Sequence, residues 1–100
     1  MILVRDVFRL KFGKAKEAKA LMKEGVRIAR KAGNTPSRQL IDLVGPYYTL
    51  VLESTHDSLT AWESSMGNDM GAEEMAAWYE RFKALVESGY REIFTVLDDA

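Results

Sequence analysis

Asp6 interrupts an alternating run, ILVRDVFRLKF, in which Val4 and Phe8 flank it on the same face. Desolvation on the apolar face of a central strand disfavours the charged form of a carboxyl group, which is the condition of a general base. The structural alternative is an aspartate paired with Arg38 or Arg91, or bonded by a tyrosine hydroxyl. Further along, Trp62, Met66, Met75, Trp78 and Phe82 recur at helical spacing. Together with Phe8 and Tyr48 they could wall a pocket for a flat apolar ligand. The same stripe also serves as plain core, the commoner use of such spacing. Tyr47, Tyr48 and Tyr79 could donate hydrogen bonds to a quinone-like or polyketide-like molecule, or simply hold their hydroxyls at a wet rim.

Other chemistries lack their residues. The chain has no cysteine, hence no disulfide, thiolate metal site or thiol nucleophile. It has no Gly-rich phosphate loop and no His/carboxylate spacing for a metal, so no metal or cofactor is expected. The single histidine, His56, falls just before a helix N-cap, where a solvated loop residue is expected, and nothing orients it for a Ser-His-Asp arrangement.

The elements that must position these residues follow from periodicity. Residues 2–12 alternate with period two and are rich in β-branched and aromatic types, as in a first strand. A helix from about Lys14 to Ala32 carries the small apolar stripe Ala18, Leu21, Gly25, Ile28 and Ala32, with Lys and Arg elsewhere. Gly33 and Asn34 suit its C-cap, and Pro36 prevents its resumption. Strands over Arg38–Val44 and Tyr47–Ser54 are joined at Gly45-Pro46, and both carry apolar residues on both faces. Asp57 or Ser58 caps a short helix through Met66, Gly67-Asn68-Asp69 interrupts it, and a second segment runs over 72–87. Ser88-Gly89 then breaks the helix before a last strand, Tyr90–Leu97.

The order strand, helix, strand, strand, helix pair, strand predicts an α+β ferredoxin-like β-α-β-β-α-β domain over residues 1–100, a four-stranded antiparallel sheet with its helices on one face. Two-faced strands then leave an apolar sheet face uncovered, and a second copy of the sheet is the expected cover, giving a homodimer.

Charge is uneven. Residues 1–38 hold eleven Lys/Arg against three Asp/Glu, and residues 39–100 hold three against twelve. A basic half invites nucleic acid, but the halves cancel and no basic tail projects, so a basic helix beside an acidic one is expected, with no nucleic acid partner. The strand-three aromatic run of RNA-recognition domains is also missing from GPYYTLVL. The apolar start is too short for a signal peptide, and no stretch nears the ~20 apolar residues of a membrane span, so a cytoplasmic protein is expected.

Two stretches resemble a known superfamily. VFRLKFGKAKEA is similar to the strand-one end of the dimeric α/β-barrel proteins, where an apolar residue, Lys and often Pro precede Gly and Lys; Phe12 stands where that Pro is common. GPYYTLVLESTHDSLTAWE resembles the third strand and following helix. The flavour is that of the NIPSNAP-like branch, with antibiotic-biosynthesis monooxygenases as relatives. The resemblance implies two sheets packed into a shared barrel and a cleft in each subunit between sheet and helices. Haem-degrading relatives would place an Asn, a Trp and an axial His where this chain has Asp6, Trp62 and Trp78. An indole is no axial donor, so haem is not expected.

Two functions stay open: a dimer that binds a small apolar or aromatic ligand, or merely a partner, and a cofactor-independent monooxygenase, or related isomerase or cyclase, acting on an aromatic or polyketide-like substrate.

Overall fold

The computed structural model describes residues 1–33, 37–66 and 72–98, without the side chains of Met66 and Ala72. The expected turn residues Asn34, Pro36 and Gly67-Asn68-Asp69 therefore lie outside the described residues. The alternating first segment forms β1 (Ile2–Leu10), and Gly13, at a φ of 80°, turns the chain into α1 (Ala15–Lys31). There follow β2 (Arg38–Ile41), β3 (Thr49–His56), α2 (Leu59–Met66), α3 (Ala72–Lys83) and β4 (Val86–Thr95). The sheet order is β2-β3-β1-β4, with every pair antiparallel. This is the ferredoxin-like arrangement expected from the element order.

Two of the departures from the reading of the sequence concern the β2–β3 and α3–β4 junctions, each for a physical reason. β2 and β3 are joined by seven residues, Asp42–Tyr48, rather than by a tight turn at Gly45-Pro46. The Asp42 carboxylate accepts from the Thr49 amide at 2.8 Å while the Asp42 amide donates to the Thr49 carbonyl at 3.0 Å, so a side chain closes the ladder. Leu43, Val44 and Tyr47, assigned to strands by their apolar character, are exposed loop residues. Tyr48 adopts a φ of 61°, costly for a bulky residue, but its carbonyl accepts from the Leu10 amide and its ring packs edge-on to Phe12.

The second difference is at β4, which begins at Val86, so Ser88-Gly89 lies inside the strand rather than ending a helix. A Cβ on Gly89 would come within 2.9 Å of the Phe8 ring across the pair. Glycine there marks a close approach, not a break.

The core lies between the sheet and the helices: Leu10, Ala18, Leu21, Met22, Leu50, Phe82 and Leu85 are buried together. Phe82 is its hub. Trp78 stacks on it at 5.2 Å between centroids, and Phe8 meets it edge-on at 5.0 Å. The Trp78 indole donates to the Leu21 carbonyl at 2.7 Å, which ties α3 to α1, and Gly25 gives the ring room. On the outer surface Arg27 and Lys31 of α1 meet Glu74 of α3, and Arg81 of α3 meets Glu24 of α1. The basic and acidic halves therefore adjoin each other, as the charge distribution suggested. Among the described residues no helix is long and apolar enough to cross a membrane.

Among the described residues no layer covers the other sheet face. Its side chains fall into rows across the strands: Thr55, Leu3 and Phe94; then Arg38, Glu53, Arg5 and Glu92; then Leu40, Val51, Val7 and Tyr90. Leu40, Tyr90 and Phe94 are exposed. The molecule is only 18 Å deep along its shortest axis, the depth of one sheet and one helix layer.

Two outcomes follow. Gly25→Ala improves intrinsic helix propensity by about 1 kcal/mol, yet its Cβ would sit 2.9 Å from the Trp78 ring. Overpacking costs about 1–3 kcal/mol, so urea denaturation is expected to show a net loss of stability; a gain would mean that the ring moves freely. The Arg81 side chain, hydrogen-bonded to Glu24, holds that carboxyl below the usual carboxylate range. A depressed carboxyl adds stability above its unfolded-state value and loses it as pH falls through the folded value. Arg81→Gln should therefore raise the Glu24 titration midpoint in an NMR pH series, and an unmoved midpoint would deny the pairing.

Candidate functional site

α2 crosses one end of the sheet rather than its middle and leaves a cleft of about 1080 Å³ beside β1 and β3. Ser58 fixes where that helix starts, its hydroxyl accepting from the Ala61 amide at 3.1 Å. One turn on, Trp62 lines this cleft, together with Val4, Asp6, Ser54 and His56 from the helix side of the sheet and Leu3, Arg38, Glu53 and Thr55 from its other face. Three of its lining residues belong to polar pairs: Asp6, which is bonded to Arg91, and Ser54 with His56.

In the first, Arg91 on β4 lies opposite Asp6 in the register, and its Nε donates to the Asp6 carboxylate at 2.6 Å. The same guanidinium sits 5.0 Å from the Trp62 ring centroid. One cation thus links β1, β4 and α2 through a charge-assisted bond and a cation–π contact. Asp6 is thereby an ion-pair partner, not a carboxylate isolated among Val4 and Phe8, and Arg91 is one of the partners that the sequence offered.

In the second pair, Ser54 Oγ and His56 Nε2 lie 2.9 Å apart. His56 is not the solvated loop residue expected. It is the last residue of β3, half-buried and opposite Ile2. A serine bonded to one ring nitrogen fixes the orientation of the imidazole. The signal for this pair was available: Leu50, Leu52, Ser54 and His56 alternate, so extending the strand by two residues carries both polar groups onto the helix side.

The remaining aromatic candidates are elsewhere. Phe8, Tyr48, Trp78 and Phe82 belong to the core or pack against it, with the Trp78 N–H already engaged by Leu21. Met75 is half-buried on α3, and the Met66 side chain is outside the described residues. Of the proposed pocket wall, the cleft brings together Asp6 and Trp62. Among the described residues no group of three His, Asp or Glu could hold a metal ion. A smaller hollow of about 370 Å³ lies on the open sheet face, with Val7 and Val51 below and Arg5, Arg9, Asp42 and Tyr90 around.

The sequence matches no protein-family model and no curated protein. In three dimensions the chain is similar to a NIPSNAP family protein of Agrobacterium tumefaciens, with a TM-score of 0.86 at 21% identity over 99% of this chain and 95% of that one. A NIPSNAP domain protein of Burkholderia xenovorans superposes with a TM-score of 0.82 at 13% identity, covering 100% and 98%. An antibiotic biosynthesis monooxygenase superposes with a TM-score of 0.71 at 14% identity, covering 97% and 99%. The fold is therefore that of the NIPSNAP proteins and, at greater distance, of the ferredoxin-like monooxygenases.

The Asp6–Arg91 pair can be weighed directly. Both partners are partly open to solvent, so a double-mutant cycle of Asp6→Asn and Arg91→Gln in urea should return a coupling of about 1 kcal/mol. Strict additivity of the two losses would mean that the pair stabilises nothing.

Proposed function

We propose that this chain acts as a homodimer, joined through the sheet face away from the helices, and that each subunit binds a small apolar or aromatic molecule in the cleft beneath α2. The observation that carries the ligand reading is Trp62. Its ring stands half-buried at a roomy cleft, held by Arg91 from one side, with Val4, Asp6, Ser54 and His56 also in the lining. An aromatic wall over a few fixed polar groups is the usual make-up of a small-molecule site. The dimer rests on the uncovered rows of the sheet, where Leu40, Tyr90 and Phe94 meet water.

A second reading has its own observation. The Ser54–His56 pair gives the cleft a proton acceptor beside the aromatic wall. A phenol or enol bound there could be ionised, the first step of cofactor-independent oxygenation or of isomerisation. The likeness to an antibiotic biosynthesis monooxygenase is compatible with this enzyme reading.

Native mass spectrometry tests assembly and contents together: twice the chain's 11.3 kDa is expected, with extra mass where a ligand is retained. With 2-naphthol as probe, Trp62→Ala should weaken binding by roughly tenfold or more, the worth of one stacking contact. Equal affinity in the variant would remove the cleft from consideration. Oxygen uptake with an anthrone substrate that vanishes in His56→Gln would favour the enzyme over the binding protein.

A further inference from the structure

The indole of Trp62 has two faces, and one of them is taken. The Arg91 guanidinium lies over it at 5.0 Å from the ring centroid, yet Arg91 is not among the residues that line the cleft. The cleft therefore offers a ligand the other face of the indole, to which a flat ring can stack.

Beside that face stands a carboxylate. Asp6 lines the cleft and its side chain is 23% exposed, while Arg91 holds it from outside the lining at 2.6 Å. No other described residue bonds it. A carboxylate has about four lone-pair sites, and one guanidinium edge fills two at the most, so Asp6 keeps acceptor capacity. The shared guanidinium also keeps carboxylate and indole within reach of one small molecule.

The opposite charges are thus separated: the anion is in the lining and its cation is behind it. The rest of the lining does not reverse this. Glu53 and Asp98 add two further carboxylates, and the one guanidinium there, that of Arg38, is bonded to Glu53 at 2.6 Å.

We infer that the cleft takes an aromatic amine in its protonated form. The ring stacks on the open face of Trp62, and the ammonium donates to Asp6. The inference rests on the ligand reading above and names the chemical class of the ligand. Arg91 and the ammonium then share one carboxylate, approached from outside the cleft and from within it. The bond is charge-assisted, the stronger kind. An aromatic carboxylate in the same position meets Asp6 as a like charge.

Three probes that share a naphthalene ring and differ in charge at neutral pH provide the test. They are 2-naphthylmethylamine, a cation; 2-naphthol, uncharged; and 2-naphthoate, an anion. Stacking on Trp62 is common to all three and cancels in the comparison. In isothermal titration calorimetry the amine should bind roughly tenfold tighter than the naphthol, the worth of one charge-assisted bond, and the naphthoate weakest.

Asp6→Asn keeps the size of the side chain and removes its charge. The variant should bind amine and naphthol about equally and improve for the naphthoate, because Arg91 has then lost its carboxylate. A ratio of affinities within one protein is unmoved by a fraction that is unfolded, so a merely structural role of Asp6 cannot imitate this result. Should the variant fail to fold, the wild-type order decides alone. A wild type that binds naphthoate as tightly as the amine, or an Asp6→Asn variant that keeps the advantage of the amine, overturns the inference and leaves the ligand reading standing. A wild type that binds none of the three removes the ligand reading and the amine together.

Discussion

Helices enough for one side only of a two-sided sheet are the constraint on which the rest of this structure depends. β1 cannot hide both of its faces beneath α1 and α3. One side takes Phe8 and Leu10 into the core, and the other carries Leu3, Val7 and two arginines, of which only Val7 is buried. The helices therefore decide what becomes core. What they leave bare decides what the molecule can meet. The cleft has the same origin, because α2 is short, sits at the end of the sheet, and leaves space beside β1 and β3 that no core residue fills.

Within the helical layer the arrangement is set by an aromatic column. Phe8 rises from β1 over Gly89, meets Phe82 edge-on, and Phe82 carries Trp78 flat upon it. Trp78 in turn reaches past Gly25 to a carbonyl of α1. Two glycines in two different elements thus make room for rings from their neighbours, and the column spans the layer from sheet to outer helix. Its members are occupied with one another, which is why, of the aromatic residues expected to wall a pocket, Trp62 is the one that lines the cleft.

Much of the fold is legible in the sequence because period and capping agree over β1, α1 and α2: alternation stops near Gly13, the helical stripe of small residues ends at Gly33, and Ser58 starts the short helix. Reading fails where local chemistry imitates something else. Leu43, Val44 and Tyr47 look like strand because they are apolar, yet the Asp42 carboxylate closes the ladder ahead of them. Ser88-Gly89 looks like a breaker, and only the Phe8 ring on the neighbouring strand explains the glycine.

The cleft is harder still. Spacing puts Trp62 and Trp78 on helical faces but cannot say which face meets a neighbour and which meets space. Ser54 and His56 escape notice because the reading ended the strand at Ser54, and their pairing needs β3 to run on to His56. Asp6 with Arg91 was legible as one of several options, since choosing among them requires the β1–β4 register.

The sheet order also leaves two rims, and they are unlike. β2 has four residues, too few to template much, whereas β4 presents ten. A rim of that length offers amide and carbonyl groups to any extended chain that drifts alongside. Glu87, Arg91 and Glu92 along it make such additions costly, because an incoming strand must match or desolvate them. A chain built this way has more to fear from sticking than from melting. When its packing is loosened, whether by mutation or during synthesis, precipitation through the β4 rim and the bare apolar rows should overtake simple unfolding as the way the protein is lost.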